Sequence, residues 1–135
     1  MFLFFRKAWV PTGCVLATHV ATLWPRNQMP DEHIDWLPHA DKWVHSAAFF
    51  GVVFSVFAWL LLNGKINPQK KGGWGILLAV LATLDGLLVE LLQRTASINR
   101  DYDLADALAD SLGAFTGLLA VIWFYRMFWA KKKPL

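Results

Sequence analysis

The chain has 135 residues, enough for one domain and too few for two substantial ones. It is 56% hydrophobic and 17% charged, with eight Trp and ten Phe, more apolar surface than a water-soluble domain of this size can bury. The net charge of +3 does not indicate nucleic acid, because the cations sit in short runs beside apolar segments, and the single cysteine, Cys14, excludes an internal disulfide framework.

The first apolar segment runs from about Ala8 to Trp24 and holds Pro11, Gly13, Thr18, His19 and Thr22. Arg6-Lys7 would suit a signal peptide, but Phe2 to Phe5 precede that pair and no small-x-small site follows the apolar run, so an uncleaved first helix is expected. The second segment spans about 43–62 and the third about 74–92, with Gly64, Asn67-Pro68 and Gly72-Gly73 marking a turn between them. The fourth spans about 104–128. A span needs roughly 20 mostly apolar residues, which the last three segments supply while the first is near the lower limit. Trp9, Trp24, Trp43, Trp74, Trp123 and Trp129 fall near the proposed ends, where indoles favour headgroups. The expected fold is all-α, a single-domain integral membrane four-helix bundle covering residues 1–135.

With four crossings, nine of the thirteen cations share one side: Arg6, Lys7, Lys65, Lys70, Lys71, Arg126 and Lys131 to Lys133. Arg26, Lys42, Arg94 and Arg100 lie on the other, among Asp31, Glu32, Asp35, Asp41, Asp101 and Asp103. The excess of Lys and Arg predicts a cytoplasmic N-terminus and C-terminus, with the first and third loops outside.

Two polar clusters then fall at the outer face. Asp41 and His45 share a helix face at a spacing of four, which lets Asp41 hold one imidazole nitrogen and leave the other for a proton, a metal or a substrate. Helix capping by Asp41 and snorkelling of Lys42 to headgroups is the ordinary alternative. Gly86, Glu90, Gln93 and Ser97 share a face of the third helix, where Arg94 offers Glu90 a local partner. Asp103, Asp106 and Asp110 form an acidic stripe entering the fourth helix, beside a small-residue row of Ala105, Ala109, Gly113 and Gly117 that permits close helix approach. So many carboxylates need a proton, Arg100, Lys42 or a metal to compensate them. Deeper in the bundle, Asp85 and His19 read either as a local pair or as part of a proton relay.

The ordered set Asp41-Lys42-Trp43-Val44-His45, Glu90-Leu91-Leu92-Gln93, Arg100, Asp106 and Asp110-Ser111-Leu112-Gly113 with Gly117 resembles the VanZ-like family. These are small bacterial membrane proteins, named for a member linked to resistance to the glycopeptide teicoplanin. The match covers roughly residues 41–117. It departs from the family pattern at Asp110, where Asn is usual, and at Ser46, where Phe is common, and the first departure adds a potential charge. The resemblance implies a multi-pass protein of the bacterial inner or plasma membrane, in the cell envelope.

Three functions follow as expectations. In the first, an outward site acts on or binds an envelope lipid, a phosphate-bearing headgroup or a glycopeptide-related ligand. His45, Glu90 and Asp106 are then the candidate catalytic residues, and Asp41, Lys42, Gln93, Arg100 and Asp110 the candidate ligand-binding ones. A divalent metal on His45, Glu90, Asp106 and Asp110 would suit that donor set, with Mg²⁺ or Ca²⁺ favoured by the oxygens and Zn²⁺ or Mn²⁺ allowed by the histidine. In the second, the acids and His19 form a proton-coupled transport path, which four short helices provide only as an oligomer. In the third, the cluster is a non-catalytic network tying helices together.

Overall fold

The structure, a computed structural model, describes residues 2–24, 39–95 and 103–129. Among these every regular element is helical: α1 (Phe2–Phe5), α2 (Trp9–Thr22), α3 (Ala40–Leu62), α4 (Lys71–Gln93) and α5 (Leu104–Phe124). A 3₁₀ turn at Pro68–Lys70 leads into α4, and a π turn at Tyr125–Trp129 ends α5. Among the described residues three helices are long and apolar enough to cross a membrane, Ala40–Leu62, Lys71–Gln93 and the run Leu104–Phe128. At 1.5 Å per residue the 23 residues of α3 or α4 reach about 35 Å, more than the ~30 Å hydrocarbon core. The 14 residues of α2 reach only about 21 Å. Both α3 and α4 begin three residues before the positions expected from hydropathy, because Asp41 and Lys42 on one, and Lys71 and the glycine pair on the other, lie within the helix rather than in the loop.

The turn between α3 and α4 follows from local chemistry. Gly64 has φ +66°, and the N–H groups of Gly64 and Lys65 donate back to the carbonyls of Leu61 and Leu60. That is the Schellman pattern, which needs a residue tolerant of positive φ. Three residues on, the Asn67 side chain accepts from the Gln69 N–H at 2.8 Å and Pro68 opens the 3₁₀ turn.

α3 and α5 make the closest approach in the bundle. A Cβ on Gly113 would collide with the Ser46 carbonyl, and one on Gly117 would sit 2.7 Å from that of Phe50. The two backbones touch only because these positions carry no side chain. Below that contact Phe49, Val53 and Phe57 of α3 interlock with Ala114, Leu118 and Val121 of α5 and Ala79 of α4, all buried.

The outer surface is inverted relative to a protein in water. Leu81, Leu84, Leu88 and Leu91 of α4 and Leu104, Leu108, Leu112 and Leu119 of α5 are each more than half exposed, whereas Glu90 and Asp110 are 0% exposed. In water, apolar side chains would be inside and such carboxylates outside. A lipid bilayer is the solvent in which this arrangement is favourable, and the exposed Trp9, Trp43, Trp74 and Trp123 lie near helix ends as indoles do at an interface.

Candidate functional site

Three helix ends meet at one end of the bundle: the start of α3, the end of α4 and the start of α5. Lys42 on the first turn of α3 projects across to α5, where its Nζ donates to Asp103 Oδ2 at 2.6 Å and to Asp106 Oδ1 at 2.9 Å, and back to Asp41 Oδ2 at 3.1 Å. Three carboxylates thus surround one ammonium. Asp103 also caps α5, its Oδ1 accepting from the Ala105 N–H at 2.8 Å. The bond to Lys42, and then the capping bond, hold the Asp103 carboxyl below its ordinary value.

One turn deeper, His45 faces α5 rather than its own helix. Its Nδ1 lies 3.0 Å from Asp110 Oδ1, and its Nε2 is 3.9 Å from Asp106 Oδ2. Neither reading of Asp41 is met: it does not hold His45, and the cap position of α3 is His39, with no side-chain capping bond. Asp41 sits on the exposed rim with Lys42, and the imidazole is held by Asp110, which the α3–α5 crossing brings opposite it. Asp106 joins the two layers, with one oxygen on Lys42 and the other towards His45.

Glu90 completes the inner layer from α4. Its Oε2 accepts the backbone N–H of Asp103 at 3.2 Å, tying the end of α4 to the start of α5. Its Oε1 and Asp110 Oδ2 are buried without a hydrogen-bond partner among the described residues. Gly86 forms the wall beside Asp110, since a Cβ there would lie 2.8 Å from Oδ2. His45, Glu90 and Asp110 each offer a ligand atom within 4.8 Å of the others, and so do Asp41, Asp103 and Asp106 around Lys42.

Of the expected site residues, Asp41, Lys42, His45, Glu90, Asp106 and Asp110 come together here. Gln93 is buried on the same end of α4, but its Nε2 donates to the Thr22 carbonyl at 2.7 Å, which fastens the end of α2. Arg100, Ser97 and Asp101 lie outside the described residues, as do Arg26, Asp31, Glu32, Asp35 and Lys131 to Lys133. His19 and Asp85 form the local pair anticipated for them, Nε2 to Oδ2 at 3.2 Å, linking α2 to α4. Asp103 and Gly86 were not among the candidate site residues. The position of Asp103 immediately before an apolar helical run is the signal that marks it as a cap. An apolar groove between α2 and α3, lined by Pro11, Val15, Leu16, Val56 and Trp59, contains none of these polar groups.

Compared with known proteins, the chain matches no protein-family model, no curated protein and no solved structure.

Proposed function

We propose that this chain is a VanZ-like protein of the bacterial cell envelope, crossing the membrane four times with both termini in the cytoplasm. Its polar end faces outward and receives the headgroup of an envelope lipid or a related glycopeptide-type ligand. The observation that carries this reading is the unfinished inner layer. A cluster serving only to tie helices would satisfy its own oxygens, because an unpartnered buried polar atom costs about 1–3 kcal/mol. Among the described residues Glu90 Oε1 and Asp110 Oδ2 are left over. The clustering of Lys65, Lys70, Lys71 and Arg126 near the opposite helix ends supports the orientation. The ties from α2 to α4, at His19–Asp85 and Thr22–Gln93, support a first crossing by α2 despite its length.

Among the described residues five carboxylates face one lysine and one histidine. Such a site attracts the ammonium of a zwitterionic headgroup, or a phosphate that arrives with a cation. Ligand binding, rather than turnover, is the function the arrangement supports best.

The structural-network alternative draws its support from Lys42, whose three carboxylate contacts tie α3 to α5. Lipids retained by protein purified in mild detergent, identified by native mass spectrometry, separate the readings. The proposal expects one polar lipid class enriched over the membrane extract in the wild type and lost in folded His45→Ala and Asp106→Asn variants. The same unselected lipids in all three would contradict it.

A further inference from the structure

The two layers of the polar cluster differ in one respect: the outer three carboxylates already enclose a cation. The Lys42 ammonium lies 2.6–3.1 Å from Asp41, Asp103 and Asp106, in the position a metal would otherwise take. The inner set of His45, Glu90 and Asp110 has the same compactness, with donor atoms within 4.8 Å, and brings an imidazole rather than an ammonium to its carboxylates. All three residues are at most 4% exposed, and one oxygen each from Glu90 and Asp110 has no hydrogen-bond partner among the described residues. Two carboxylates beside one imidazole in a low-dielectric bundle leave an excess of negative charge that only a proton or a cation removes.

We propose that His45, Glu90 and Asp110 hold one divalent first-row transition ion, Zn²⁺ or Mn²⁺, at the floor of the polar site. One imidazole nitrogen with two carboxylate oxygens is a donor set for these ions, whose bonds to such atoms run about 2.0–2.2 Å. Asp106 stays with Lys42, its second oxygen 3.9 Å from His45 Nε2, and lies outside the ligand set. Gly86 keeps the floor open, because any larger residue would press on Asp110 Oδ2. The ion leaves room for a further ligand, and an anionic headgroup oxygen would then find a cation where the bare carboxylates would repel it. That last step rests on the proposed headgroup function; the ion site does not.

The test uses the full chain in mild detergent, stripped with EDTA, reloaded with ZnCl₂ or MnCl₂, desalted and analysed for metal. The expected result is one ion per chain in the wild type. Glu90→Gln and Asp110→Asn, verified as folded by circular dichroism, should bind at least ~10-fold more weakly, since losing a ligand costs no less than losing its outer partner. Cys14→Ser, away from the cluster, should bind as the wild type does. Independently of any variant, electron spin echo spectra of the Mn²⁺-loaded wild type should show coupling to one imidazole nitrogen. Substoichiometric metal in the wild type, unchanged binding in the folded variants, or no nitrogen coupling would overturn the proposal. If selective lipid retention persists while no ion binds, the ion site falls and the headgroup reading stands.

Discussion

Asp103 joins three parts of the cluster through one residue. Its carboxylate caps α5 and holds Lys42, while its backbone N–H donates to Glu90. Because its folded pKa is depressed, the ion pair adds stability above the ordinary carboxylate range, and that stability is lost as pH falls through the lower folded value. Melting temperatures measured across the acid range should therefore fall less steeply for Asp103→Asn than for the wild type. Asn caps helices about as well as Asp, so at neutral pH Asp103→Ala should melt below Asp103→Asn. Gly86 is equally sensitive to substitution. Gly86→Ala places a carbon 2.8 Å from Asp110 Oδ2 and should cost about 1–3 kcal/mol, whereas Gly51→Ala meets nothing within 4 Å and should be neutral or stabilising. Chemical denaturation of the two variants checks the contrast. The residue types of the site were legible from helical spacing, because Asp106 and Asp110 share a face of α5. Their partners were not. Whether His45 meets Asp41 or Asp110 depends on the α3–α5 crossing, and no spacing within one helix contains that information.

The crossing of α3 and α5 determines whether the site forms, since it sets His45 against Asp110 and Lys42 against Asp106. It rests on Gly113 and Gly117 meeting the backbone of Ser46 and Phe50. Backbone cannot move aside as a side chain does. Gly113→Ala should therefore destabilise by more than the ~1–3 kcal/mol of ordinary overpacking and reduce folded yield, as size-exclusion chromatography of the detergent-solubilised protein would show. The row of small residues was visible in the sequence as Ala105, Ala109, Gly113 and Gly117. Only its second half makes the closest contact: Gly113 and Gly117 are buried, whereas Ala105 and Ala109 are partly exposed near the polar end. The helix starts were read three residues late for α3 and α4 because hydropathy sees polar first turns as loop, whereas a backbone continues through them readily at an interface.

For the whole molecule, apolar side chains outside and carboxylates inside make sense only with lipid around the bundle. The composition carried that conclusion before any contact was known. The proposed orientation predicts opposite labelling of the two ends. In a Cys14→Ser background in whole cells, Asp41→Cys should react with a membrane-impermeant maleimide, and Lys65→Cys should react only after permeabilisation. If the inner cluster is kept for a ligand rather than for stability, Glu90 is the residue whose replacement shows it. Its carboxylate is fully buried, with one oxygen unpartnered among the described residues, so Glu90→Gln removes a charge without removing an acceptor for the Asp103 N–H. In mild detergent with EDTA present, Glu90→Gln should melt at or above the wild-type temperature. A fall of roughly 10 °C or more, the size expected when one partner of a buried charge network is lost, would show that the cluster holds the helices together and contradict the account.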